Sequence, residues 1–256
     1  MSPGGTGPRF YRTYRSRGPG RVPFRVKIAT SDLYIRADRD LGREARAILR
    51  EVRGQIEAHI ARHPAFATAL EPLDPPPGDL PAVVAAMYAA GRGAGVGPMA
   101  AVAGAVAGEV GRRLRELTGE VVVENGGDVY LDLREPVVVG LYAGRSPFTG
   151  RVGIRVEPGR TPLGVCTSSG RVGPSLSYGA ADAATALCPD PALADAVATA
   201  MGNRVRGPGD LEPAVEWALG IPGIQGALAV AGDRLAAAGE IEIARVGDPP
   251  GAPAEP

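Results

Sequence analysis

The chain has 256 residues, 45% of them apolar, and carries 28 basic against 28 acidic side chains. That length can bury a sizeable core in one large domain, while zero net charge removes any whole-chain argument for nucleic acid or an acidic membrane surface. The two cysteines, Cys166 and Cys188, are too few for a disulfide framework or a zinc quartet, and the most apolar stretch, 96–110, falls short of the roughly 20 residues of a membrane span.

Residues 1–22, with Arg9, Arg12, Arg15, Arg17 and Arg21 among Gly and Pro, read as a basic, partly disordered arm. The first residues have no apolar core of the signal-peptide kind, so a cytoplasmic protein is expected. Alternation of Phe24, Val26 and Ile28, then Leu33 and Ile35, predicts two short strands within 24–36. From Leu41 to Ile60 the apolar positions recur at steps of three and four, an amphipathic helix ending before Pro64. Five prolines in 72–81 make a rigid connector into a short apolar helix over 81–90, and another helix runs from Pro98 to about Leu117.

The middle turns strand-like at 121–123, 129–133, 137–142, 152–156 and 163–166. Asp190 before Pro191 starts a helix that Gly202-Asn203 stops, and a last helix holds Trp217. Strands at 226–230 and 240–246 flank a Gly232-Asp233 turn, and the tail 247–256 reads as disordered. Helices in blocks between runs of hairpin-like strands give an α+β class with an antiparallel or mixed sheet, expected as a single domain over 23–246.

The run Gly164-Val165-Cys166-Thr167-Ser168-Ser169-Gly170 sets a thiol beside three hydroxyls. It suits an anion held in a nest of amides and hydroxyls, or a reactive sulfur if Cys166 has a lowered pKa. It also suits a plain polar turn. Glu124-Asn125-Gly126-Gly127-Asp128 brackets two glycines with three oxygen-bearing side chains after a strand. The same residues serve a hairpin turn or a ligand site, because glycine permits positive φ and close approach. Asp195 and Thr199 share a helix face at i, i+4, as magnesium ligands would, although an acid in a first turn also stabilises the helix dipole. Gly95-Val96-Gly97-Pro98-Met99-Ala100 matches a dinucleotide loop but follows a helix; amides near Gly97 could still meet a phosphate. His59 and His63 have metal-like spacing without a carboxylate signature around them.

Taken in order, Ala94 to Gly104, Val123 to Asp128, the Cys-Thr-Ser-Ser-Gly run, Ser175-Leu176-Ser177-Tyr178-Gly179 to Ala183, and Ala194-Asp195 to Asn203 resemble uncharacterised protein family 0280. That family is a branch of the ApbE-like superfamily of flavin transferases. The resemblance implies an ApbE-like α+β fold. In the transferase branch a magnesium-dependent enzyme splits FAD and moves FMN onto a protein Thr or Ser. Its Ala-Asp-x-x-Ala-Thr helix supplies metal ligands, implying Asp195 and Thr199 here. Its Gly-Gly-Asp turn near the nucleotide implies Gly126, Gly127 and Asp128, and its Thr-Ser-Gly turn implies Ser168 to Gly170.

The chain lacks the transferases' Lys-Gly pair and their His-x-x-Asp-x-x-Thr-Gly element, and has Pro174 where the branch carries His before Ser-Leu-Ser. The resemblance also associates the branch with sulfide assimilation and homocysteine formation. The expected ligand is therefore an anionic or phosphorylated small molecule, FAD or FMN with Mg²⁺ included. The ligand set is Gly97, Glu124, Asn125, Gly126, Gly127, Asp128, Thr167, Ser168, Ser169, Gly170 and Ser177, with Asp195 and Thr199 for metal and Cys166 as the reactive residue. The alternatives are an active FMN transferase or FAD pyrophosphatase, and a non-catalytic protein that docks a partner enzyme, such as one of sulfur assimilation. No nucleic-acid or membrane partner is expected, and a homo-oligomer is left open.

Overall fold

In the computed structural model, residues 21–169 and 179–246 are described. The basic arm up to residue 20, the Gly170 and Ser177 ligand positions, Pro174 and the tail from 247 lie outside them. Strands β1 (Val22–Ile28) and β2 (Ser31–Ala37) form the hairpin that alternation predicts, followed by α1 (Gly42–Arg62), the short α2 (Ala65–Thr68) and α3 (Ala82–Ala94). Helix α3 runs past residue 90 to Ala94, with Ala90, Gly91 and Ala94 buried against the core, and it stops where Gly95 takes a left-handed conformation at φ 70°. Pro98–Ala101 is a single 3₁₀ turn, after which α4 (Val102–Arg115) begins.

The remaining strands are β3 (Val121–Asn125), β4 (Asp128–Asp132), β5 (Val137–Gly140), β6 (Val152–Val156), β7 (Leu163–Ser168), β8 (Ala183–Cys188), β9 (Gly226–Ala231), β10 (Arg234–Gly239) and β11 (Glu242–Arg245), with α5 (Pro191–Arg204) and α6 (Leu211–Leu219) between β8 and β9. Eight strands make one sheet in the order β1-β2-β3-β4-β7-β8-β9-β10, and β11-β6-β5 make a second. Every ladder between neighbours is antiparallel, the simpler of the two expected sheet types.

Two features depart from the pattern in the sequence. Strand β8, Ala-Ala-Thr-Ala-Leu-Cys, is buried at all six positions, so it shows none of the alternation that marks a half-exposed strand. The strand that follows the Gly232-Asp233 turn and pairs with β9 is β10, which lies before the expected segment, and the strand expected over 240–246 is β11, which beyond the positive-φ Gly239 crosses to the smaller sheet and pairs with β6.

The large sheet is the middle layer. One face carries Val26, Leu33, Ile35, Val121, Val123, Tyr130, Cys166, Ala186 and Ala227 into the main core with the helices. The other carries Val129, Leu131, Leu163, Val165 and Leu187 against Val137, Ile154 and Val156 of the small sheet. Period-two alternation decides which residues meet the helices.

His59 belongs to this helical core: it is fully buried, its Nε2 lies 3.0 Å from the Tyr88 hydroxyl, and its ring meets Phe66 edge-on. No single helix among the described residues is long and apolar enough to cross a membrane; α3 and the Pro98–Arg115 stretch pass together but are bent by 108° and contribute much of their surface to the core.

Helix α5 packs on α3, α4, β7 and β8. It is apolar nearly all round and buried accordingly, with Asp190 capping it by accepting from the Ala192 amide at 3.0 Å and Pro191 at its first position. Its start is wedged between two glycines. A Cβ on Gly104 of α4 would stand 2.2 Å from the Pro191 carbonyl oxygen and 2.7 Å from Asp195 Cβ, and one on Gly164 of β7 would stand 2.6 Å from Pro191 Cα. Gly104→Ala should therefore destabilise the protein by about 1–3 kcal/mol or more through overpacking. Gly159→Ala, where a Cβ meets nothing within 4 Å, should stay close to wild type in urea unfolding.

Candidate functional site

The β3–β4 hairpin turns at Gly126 and Gly127, with φ of 74° and 122°, and pairs Asn125 with Asp128. Both side chains then lie on the helix side of the sheet, where the amide of Asn125 donates to the Ala103 carbonyl at 3.1 Å. That contact ties the turn to the start of α4. Asp195, on the second turn of α5, reaches the same helix start from the other side: Oδ2 accepts the Gly104 amide at 2.8 Å. Residues flanking α4's own N-terminus give it no side-chain cap, so a residue 91 positions later supplies one.

Asp128 and Asp195 are 6% and 7% exposed. Burial pushes the Asp195 carboxyl up to about 7 against the lowering effect of the Gly104 and Ala103 amides. Burial, and then the charge of Asp195, pushes Asp128 well above the usual carboxylate range. Among the described residues no basic side chain is paired with either acid. Asp128 Oδ1 and Ser168 Oγ are both buried without a hydrogen-bond partner. Two buried acids without a counter-charge, beside two orphaned oxygens, form a hard-oxygen donor set that suits a cation such as Mg²⁺. No three His, Cys, Asp or Glu side chains among the described residues stand together as a ready-made cage, so such an ion would keep waters and take oxygens from a ligand.

Several expected site residues are placed otherwise. Cys166 is at the cluster, yet it is fully buried, and burial followed by the charges of Asp128 and Asp195 pushes its thiol well above the usual range. A nucleophile needs thiolate, so this environment opposes the reactive role. Glu124 and Thr167 alternate onto the opposite face of the sheet: Glu124 stands in line with Tyr34 and Val129, and the Thr167 hydroxyl pairs with that of Thr185 at 2.9 Å. Gly97 gives its amide to the Leu70 carbonyl at 2.9 Å, and a Cβ there would stand 1.8 Å from the Ala69 carbonyl oxygen. Its amide is thus engaged in packing α2 rather than facing a phosphate. Thr199 lies one turn beyond Asp195 and is half-buried, and Ser169 follows the end of β7 and is half-buried.

Sequence reasoning missed Asn125's tie to Ala103 and the fit of Gly104 beneath Asp195; both depend on contacts between segments about 20 and 90 residues apart. A separate cleft of about 490 Å³, lined by Asp38, Arg39, Arg115, Thr118 and Arg134 among others, opens at the far end of α4, about 20 Å of helix from Asp195. There Arg39 and Arg115 donate to the Leu117 and Thr118 carbonyls, as cations commonly do at a helix C-terminus.

The layered fold is shared with solved flavin transferases. The apo flavinyl transferase ApbE of Pseudomonas stutzeri aligns with a TM-score of 0.56 at 14% identity over 86% of this chain and 94% of that one. A variant of the flavin transferase ApbE of Vibrio cholerae aligns at 0.53 and 11%, over 85% and 97%. These likenesses define an ApbE-like α+β protein. A protein-family model described as "AbpE bacteria" matches residues 14–218. A UPF0280 protein of Methanocella arvoryzae is 47% identical over 190 residues, 74% of this chain and 77% of its own length, and one of Methanosphaerula palustris is 43% identical over 186, 72% and 76%. The chain belongs to the UPF0280 family of the ApbE-like superfamily.

Because Asp195 holds its proton more tightly folded, at about 7, than unfolded, at about 3.9, its contribution to stability is fully present below about pH 4 and is lost as pH rises to about 7. In metal-free buffer, Asp195→Asn should lose the corresponding part of the fall in melting temperature between pH 5 and 8. A variant with the full wild-type slope would contradict the burial of this carboxyl.

Proposed function

We propose that the protein binds a phosphate-bearing nucleotide, a flavin nucleotide foremost, together with Mg²⁺ at the start of α4. The observation that carries this is the pair of carboxylates, Asp128 and Asp195, buried side by side without a cationic side chain among the described residues. An anionic ligand could not approach them unless their charge were offset. Asp195 and Thr199 would hold the ion with Asp128 beside it; when bound, it would neutralise charge on the ligand's phosphates. Gly126 and Gly127 let ligand approach the backbone, Ser168 offers its hydroxyl, and Asn125 keeps Ala103 and Gly104 in place. Ser169, Gly170 and Ser177 complete the proposed ligand-binding set on the strength of the family motif.

The fold favours one further reading, a Mg²⁺-dependent FAD:protein FMN transferase or FAD pyrophosphatase. The family resemblance supports a cytoplasmic setting beside an enzyme of sulfide assimilation.

Incubation with FAD, with and without Mg²⁺, separates these readings. FAD should quench and co-elute with the protein only when Mg²⁺ is present, and Asp195→Asn should weaken that binding at least tenfold. Appearance of FMN and AMP would establish the cleaving activity. Absence of FAD binding under both conditions would remove flavin as the ligand, and mass spectrometry of small molecules released from natively purified protein would then identify another nucleotide or none.

A further inference from the structure

Three guanidinium groups converge on three consecutive residues at the far end of α4, in the cleft of about 490 Å³ described above. Arg39 donates to the Leu117 carbonyl at 3.3 Å, and Arg115 to that of Thr118 at 2.8 Å. Arg134 lies over Gly119, where an added Cβ would overlap its Cζ and both Nη atoms. Like charges gathered in this way repel unless anions sit among them, and the nearby carboxylates are committed. Asp38 accepts the Gly119 amide at 2.7 Å, Asp132 meets Arg115 Nε at 3.0 Å, and Glu120 takes Arg21 at 2.6 Å. Among the described residues no carboxylate pairs with Arg39 or Arg134. That leaves Glu116 on the cleft wall to offset both.

Satisfying carbonyls at a helix end accounts for Arg39 and Arg115. It does not account for Arg134. This residue follows β4, and its side chain makes no hydrogen bond or ion pair among the described residues, although its amide is fixed by donating to Glu120 Oε2 at 3.2 Å. We propose that the cleft binds the phosphate group of a small phosphorylated molecule, held between Arg134 and Arg39 with Arg115 behind them. A guanidinium offers five donors in a planar fork that matches phosphate oxygens in pairs, and a phosphate monoester brings three acceptor oxygens and nearly two charges to such a cluster. The volume falls within the range of small-molecule pockets. Leu117, 44% exposed on the wall, offers an apolar surface to the organic part. The site stands about 20 Å of helix from Asp195 and does not depend on the cation-assisted reading above.

The test uses the full chain in buffer stripped of divalent metal, with glycerol 3-phosphate as the probe, succinate as the dicarboxylate control, and affinity measured by calorimetry. Wild type should bind glycerol 3-phosphate at millimolar concentration or below, and succinate at least tenfold more weakly. Arg134→Gln should weaken phosphate binding at least tenfold, with Arg134→Lys, which keeps the charge and loses the fork, in between. Gly119→Ala should weaken it as well, because the guanidinium is displaced. Its urea unfolding should stay close to wild type, since the atoms in the way are the end of a flexible side chain. Asp195→Asn should bind the probe as wild type does. No binding by wild type at millimolar concentration would overturn the site, and succinate bound as tightly would overturn the phosphate assignment. Wild-type affinity in both Arg134→Gln and Gly119→Ala, or loss of binding in Asp195→Asn, would overturn the placing of the anion in this cleft.

Discussion

One hydrogen bond organises this protein around its site: the Gly104 amide donating to Asp195 at 2.8 Å. It satisfies the start of α4, which has no side-chain cap in its own sequence, and it takes a carboxylate into the core to do so. The fit allows no atom beyond hydrogen at Gly104, because the first two turns of α5 press on it through Pro191 and Asp195. Helix capping and close packing thus create the chemical tension of the site. An acid sits where its charge is stabilised by the Gly104 amide and opposed by its burial.

Asp128 doubles that tension. A single buried acid capped by a helix is an ordinary structural device; a second beside it, with one oxygen unpartnered, is poor economy for stability alone. The structural role of Asp195 and a ligand-binding role are therefore compatible: α4 orients the carboxylate, and the neighbouring acid makes a cation welcome. The family's solved neighbours share the fold at 11–14% identity, so the case for this chemistry rests on the chain's own atoms.

The fold was legible wherever one side of an element faces outward. Leu33 and Ile35, or Ile48, Val52 and Ile56, announce strand and helix because their period separates core from solvent. β8 was hidden because all six of its side chains are buried, and β10 because its Arg-Leu-Ala-Ala-Ala-Gly run has no alternation; β11 was expected, but not its crossing to another sheet after Gly239. At the site, Gly126-Gly127-Asp128 and Asp195 could be picked out by residue type and family motif. The face each residue occupies could not be read so simply. Glu124 and Thr167 looked like ligands because they neighbour Asn125 and Ser168 in sequence, and a strand sends neighbours to opposite sides. The environment of Cys166 was equally hidden, since a thiol's pKa depends on burial that only the assembled sheet provides.

The path of β11 has a consequence for how the chain matures. Strands β5 and β6 are made near residues 137–156, but the third member of their sheet arrives only with Glu242–Arg245. Until then β6 presents an open edge, the kind of template that recruits a strand from another molecule. Such long-range closure slows folding, because the loop must be gathered before any contact rewards it. On the ribosome, the middle of this protein waits for nearly its last described residues, and expression that releases truncated chains would yield species prone to pair with one another.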